Sequence, residues 1–91
     1  MREILFLNSL DNIAVCLGDI ESGRVISQDG RSVTAIENIP RGHKISTRDI
    51  AKGEGIIKYG ERMGHATQDI ACGAHVHVHN VLGDRLSTES S

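Results

Sequence analysis

Three short runs hold the side chains that could do chemistry. The first is His75, His77 and His79, at i, i+2 and i+4. In an extended strand these imidazoles share one face and Val76 and Val78 share the other, which should be core. Residues two apart sit roughly 7 Å apart along a strand, and imidazoles are long enough to converge on a transition metal. No acidic or cysteine ligand lies nearby at a fixed spacing. Three readings are therefore open: a polar edge strand facing water or a partner, a metal site within this chain, or a site completed by another chain. The second run is His43-Lys44, just after Pro40 and Gly42. A loop there would present an imidazole beside an ammonium group, a pairing suited to proton abstraction or carboxylate binding, or else two solvated side chains. The third is Lys58-Tyr59-Gly60. Strand alternation would put Lys58 and Tyr59 on opposite faces, one packed and one meeting an anionic substrate. Tyr59 could equally be a packing residue with its hydroxyl hydrogen-bonded.

Other chemistries lack support. Cys16 and Cys72 are far apart, in no CxxC spacing and with no base at a fixed offset, so two buried reduced thiols are expected. No Gly-rich phosphate loop is present. The net charge is −2 with mixed signs, and Tyr59 and Phe6 are the only aromatics available for stacking on bases, which argues against nucleic acid. No apolar run approaches the roughly 18 residues of a membrane span. The N-terminus, without a signal-peptide cleavage site, reads as that of a cytoplasmic chain.

The elements that must position these runs read as short strands. Ninety-one residues make one small domain with a thin core. Ile and Val together number 17 against 6 Leu, and there are ten Gly, a composition for strands and turns rather than a helical bundle. Strands are predicted over 3–8, 13–17, 24–27, 32–36, 56–59, 62–67 and 74–79. Leu10-Asp11-Asn12 and Asp29-Gly30 have turn chemistry. Residues 47–53 begin with a capping-type Ser46 or Thr47 and end on Gly53, which suits one helical turn. Asp69-Ile70-Ala71-Cys72-Gly73 echoes Asp49-Ile50-Ala51-Lys52-Gly53, a hint of two similar turns. The domain is set at 1–80, with 81–91 a polar, frayed tail. The expected class is a compact all-β domain.

Several spaced motifs together carry a family resemblance. They are Ile39-Pro40-Arg41-Gly42-His43-Lys44, Arg48-Asp49-Ile50-Ala51-Lys52-Gly53 and Ile57-Lys58-Tyr59-Gly60. Met63-Gly64-His65-Ala66-Thr67, Asp69-Ile70-Ala71 and His75-Val76-His77-Val78-His79-Asn80 follow, and Leu10-Asp11-Asn12-Ile13-Ala14-Val15 is similar too. With these, the chain resembles the SAF-type module at the N-terminus of altronate dehydratases, which relatives carry as a small subunit beside a large catalytic one. The small subunit of sulfolactate sulfo-lyase is similar, and galactarate dehydratase shares the Gly-His-Lys and Tyr-Gly elements. Gly55 and His65 depart from the residues usual in the family.

The resemblance implies a β-clip (SAF-like) fold and a hydro-lyase that removes water from a sugar acid such as altronate, giving a 2-keto-3-deoxy acid. It implies a divalent metal, iron(II) or manganese, held mainly by the large catalytic subunit. On that footing His43 and Lys44 are the candidate catalytic residues. Lys58 and Tyr59 are the candidate substrate-binding residues, and His75, His77 and His79 the candidate metal or subunit-contact face. The alternatives are a sulfolactate sulfo-lyase small subunit, in which sulfite leaves, and a non-catalytic binding or assembly module. Self-association through an exposed strand edge fits any of these.

Overall fold

The computed structural model describes residues 3–5, 8–28 and 30–83. Among them every regular element is a strand: β1 (Ile4–Leu5), β2 (Ile13–Cys16), β3 (Val25–Gln28), β4 (Arg31–Thr34), β5 (Lys44–Ser46), β6 (Gly55–Lys58), β7 (Glu61–Ala66), β8 (His75–Val76) and β9 (Val81–Gly83). The expected all-β class is what the chain adopts. Phe6 and Leu7 of the predicted first strand, Asp29 of the predicted hairpin turn and the tail from 84 to 91 lie outside the described residues. The strand β9 pairs with β7, three residues past Asn80, where the sequence reading placed the end of the domain.

The strands form three antiparallel groups: a four-stranded sheet in the order β1-β2-β5-β8, a β3-β4 hairpin, and a β6-β7-β9 sheet. The four-stranded sheet divides the core in two. Because side chains alternate along a strand, Ala14 and Cys16 of β2 join Ile4, Ile20, Ile26, Ile39 and Ile45 in one buried cluster. Ile13, the residue before Ala14, joins Ile50, Ile56, Ile70 and Val76 in the other. Each fully buried Ile contributes about 1.5–3 kcal/mol relative to exposure. The β-branched residues that favoured strands in the sequence are thus the core itself.

What clips the sheets together is a motif used four times. Asp19-Ile20-Glu21-Ser22-Gly23, Asn38-Ile39-Pro40-Arg41-Gly42, Asp49-Ile50-Ala51-Lys52-Gly53 and Asp69-Ile70-Ala71-Cys72-Gly73 share one pattern. In each, the residue after Gly donates its N–H to the carbonyl three residues back, at 2.9–3.1 Å. The four glycines have φ between +84 and +93°, the left-handed conformation that the third position of a type II turn demands and that only Gly adopts without strain. The copies pair. Ile20 bridges Ile39 and Ile50 bridges Ile70, all four buried. The side-chain oxygen of each first residue accepts a backbone N–H from the fourth residue of the paired copy: Asp19 from Arg41, Asn38 from Ser22, Asp49 from Cys72 and Asp69 from Lys52, each at 2.9 Å. Gly73 is held further by space, since a Cβ there would come within 1.9 Å of the Thr34 carbonyl oxygen.

Three sequence expectations give way here. Residues 47–53 form no helical turn. Ile50 is drawn into its bridge with Ile70, and Ser46, instead of capping, is buried with its hydroxyl donating to the Ala71 carbonyl at 2.6 Å. The strand predicted over 74–79 stops at Val76, so Val78 is 81% exposed rather than core. Tyr59 is not the end of a strand. It sits in the β6-β7 hairpin turn at φ +58°.

Candidate functional site

The site is assembled from the ends of two of the four turns. The Gly42 turn leads into β5 and the Gly73 turn leads into β8. β5 and β8 pair antiparallel with Lys44 opposite Val76 and Ile45 opposite His75. This register brings His43 beside His75, 32 positions away in sequence, and the His43 Nδ1 lies 2.8 Å from the His75 Nε2. The His77 ring stacks on His43 with centroids 4.2 Å apart, and the His79 ring lies 5.2 Å from His75, tilted.

His77 and His79 approach His43 and His75 through a turn, not along a strand. Asn80, buried, closes that turn. Its side-chain amide donates to the His75 carbonyl at 2.8 Å and its side-chain oxygen accepts the His77 N–H at 2.9 Å. The His75 N–H is taken by the Glu37 carboxylate at 3.0 Å. A ring nitrogen from each of His43, His75 and His77 lies within 4.8 Å of the others, and this is the cluster of potential metal ligands among the described residues. His43 and His75 are half-buried and His77 is exposed.

Burial, then the neighbouring histidines, holds His75 below the ordinary imidazole range, against a smaller pull from Glu37. His77 is lowered by desolvation, His43, Lys44 and His79, in that order. Both rings therefore favour the neutral form, which accepts protons and ligates metals.

A groove of about 530 Å³ adjoins the cluster, lined by Ile13, Ile56 and Val76 together with Lys44, Lys58 and His77. Both lysines expected to meet a carboxylate thus share one surface with an imidazole. Tyr59 does not line this groove. It is 60% exposed, and the Lys58 ammonium lies 5.3 Å from its ring centroid, so the two residues face each other rather than opposite sides. The Tyr59 turn is held by Asp11, buried, whose carboxylate accepts the Tyr59 and Gly60 N–H groups at 3.1 and 2.8 Å. Asn12, also buried, ties β6 to β2 through Ile57 and Gly55.

Of the expected site residues, the structure gathers His43, Lys44, Lys58, His75 and His77, with His79 beside His75, and leaves Tyr59 apart. Sequence reasoning missed Asn80 and Glu37 as the groups that hold the histidine turn. An Asn just past a histidine run was the available signal for the first. Both thiols are free, Cys16 buried and pushed up to about 11 by burial, Cys72 only half-buried.

Comparison with known proteins adds the family. Residues 2–84 match the model of the altronate/galactarate dehydratase SAF domain. The chain is 49% identical over 74 residues to altronate dehydratase of Escherichia coli, and 40% identical over 80 residues to that of Bacillus subtilis. Those stretches are 81% and 88% of this chain but 15% and 16% of the relatives' own lengths. It is also 43% identical over 69 residues to the (2R)-sulfolactate sulfo-lyase subunit alpha of Chromohalobacter salexigens, covering 75% of this chain and 73% of that protein. Among the described residues no helix is long and apolar enough to cross a membrane. A match over nearly the whole chain makes this chain a member of the altronate/galactarate dehydratase SAF domain family.

Proposed function

We propose that this chain is the SAF-type part of a cytoplasmic sugar-acid hydro-lyase, acting with a large catalytic chain to convert an aldonate such as altronate into a 2-keto-3-deoxy acid. The observation that carries the reading is the convergence of His43, His75 and His77 from two separate segments beside Lys44 and Lys58. In this reaction a base removes the proton next to the carboxylate. The hydroxyl on the next carbon leaves as water after accepting a proton, and the resulting enol tautomerises to the ketone. Lys44 and Lys58 fit the substrate carboxylate. The neutral imidazoles fit proton transfer or the binding of a divalent metal, iron(II) or manganese, whose other ligands the large chain would supply. Three ring nitrogens this close suit such an ion, which when bound would stabilise the enolate charge. Tyr59, on the exposed hairpin turn outside the groove, would meet the large chain or the substrate there.

A second reading has its own support. It rests on the likeness to the (2R)-sulfolactate sulfo-lyase subunit alpha, 43% identical over 69 residues. The same groups would serve there, with sulfite leaving in place of water. A purely assembling module would instead let substitutions at His43 or Lys44 weaken partner binding without changing the rate per complex.

Reconstitution tests the reading. The full chain is mixed with a large dehydratase chain and iron(II), and keto-acid formation is followed from altronate and from sulfolactate, with each component alone as control. Turnover of altronate only when both chains are present is the expected result. A large chain fully active by itself overturns the proposal, and turnover of sulfolactate alone selects the second reading.

A further inference from the structure

We propose that His43, His75 and His77 form a site for one divalent first-row transition ion within this chain, in place of the sequential run His75, His77 and His79. The inference deepens the dehydratase reading and rests on it for the ion's use in turnover, while ion binding by the chain stands or falls separately.

The spacing is the first argument. Ligands about 2.0–2.1 Å from a metal and at right angles to each other are about 3.0 Å apart. The His43 Nδ1 and His75 Nε2 lie 2.8 Å apart, already near one edge of a coordination shell. Without an ion that approach requires a proton shared between the two rings; a metal takes the proton's place. The third nitrogen, on His77, is within 4.8 Å of both, on an exposed ring with room to adjust.

The second argument is that the backbone specifies all three positions. His43 follows the Gly42 turn, His75 is set by the β5-β8 register, and His77 is set by the Asn80 amide. His79 has only its tilted approach to His75. The charges nearby work in opposite directions. Lys44, beside His77, disfavours a cation, and Glu37, beside His75, favours one.

Three nitrogen donors also narrow the ion. Imidazole suits iron(II), cobalt(II), nickel(II) and zinc, whereas magnesium and calcium prefer oxygen, and affinity rises from manganese to iron to cobalt. Of the two metals implied by the family resemblance, this donor set selects iron(II). As a ligand, His43 would no longer serve as the general acid or base, which leaves Lys44, Glu37 and His79 as the ionisable groups beside the site.

The test is a titration of the full 91-residue chain with cobalt(II), read by visible absorption and by the imidazole nitrogen resonances. The expected result is one cobalt per chain, with resonances of His43, His75 and His77 shifted and no competition from magnesium. His43→Ala and His77→Ala should each weaken binding by at least the roughly 10–100-fold that loss of an outer-shell partner costs. His79→Ala should leave it unchanged. Amide spectra confirm that each variant is folded, and His43→Gln repeats the test with a polar side chain of similar reach. Wild-type affinity in both His43 variants, loss of binding in His79→Ala, or no binding by the parent chain at millimolar cobalt would overturn the site. Cobalt binding without turnover in the reconstituted mixture would retain the site and remove the dehydratase reading. Turnover without cobalt binding would do the reverse.

Discussion

Two of the four glycine turns lead into the histidine site, and two do not. In all four copies the bridging Ile is buried, and so is the apolar residue three positions past the Gly: Ile26, Ile45, Ile56 and Val76. Between those fixed points lie two free positions. They are Arg24-Val25 and Glu54-Gly55 in the plain turns, but His43-Lys44 and Ala74-His75 in the others. The strands differ in the same way. β3 and β6 fold back on the strand that follows each of them, whereas β5 and β8 pair with each other. A repeated structural unit thus keeps the bridging Ile, the Gly and the apolar residue past it, and varies the two positions between, of which Ala74 alone is buried. The histidines cluster only where the strands leaving two of the copies pair with each other.

The strongest way to break this comparison is at the glycines. Gly73→Ala would push a methyl group against the Thr34 carbonyl and impose left-handed strain, a combined cost of about 3 kcal/mol or more. Gly53→Ala, with nothing within 4 Å, should cost only the strain, about 1–2 kcal/mol. Denaturant unfolding of the two variants checks the difference. Equal losses would mean that the turns are equivalent and that close packing at Gly73 is unimportant.

The next effect is at Asn80, which holds the histidine turn and has no counterpart in the plain turns. Asn80→Ala leaves the His77 N–H and the His75 carbonyl without their partner, at a cost of about 1–3 kcal/mol. The ring resonances of His77 should broaden or shift while those of the Ile20 and Ile50 methyls, in the plain turns, stay in place. Movement at both ends of the molecule would show the site and the plain turns to be one cooperative unit.

The smallest effect sharpens the comparison through pH. His75 and His77 are held below the ordinary imidazole value of 6.5, so the unfolded chain binds more protons once pH falls to that value. Stability should therefore be full well above 6.5 and decline as the pH drops through it towards the lower folded values. Thermal unfolding at pH 7.5 and 5.5 checks this, with His75→Gln expected to flatten the difference. A parent chain equally stable at both pH values would mean that the fold does not hold the rings neutral.

The fold class was legible because its signals are local: β-branched residues, Gly-marked turns and short apolar runs. Two copies of the turn motif were visible, at Asp49 and Asp69. The other two were hidden because Asn38 replaces the Asp and neither Ala stands after the Ile, although Gly and the buried Ile remain. The site was only partly legible. His75 and His77 were found by spacing, but strand alternation fails after Val76, where Asn80 bends the chain into a turn. The partnership of His43 with His75 follows from a register between strands 30 residues apart, which no local pattern encodes. The helical turn expected from Ser46 to Gly53 lost to a bridge with Ile70, another distant partner.

The order in which the two core clusters draw on the chain has a consequence for synthesis. The buried members of the first all lie between Ile4 and Ile45, whereas the second needs residues as late as Val76. During translation the first half can begin to condense while the second is still being made. The imidazole cluster, dependent on β8 and on Asn80, is complete only near the end. A chain released early would carry His43 in a partly formed domain but no cluster, so the cluster is tied to nearly complete synthesis of the domain.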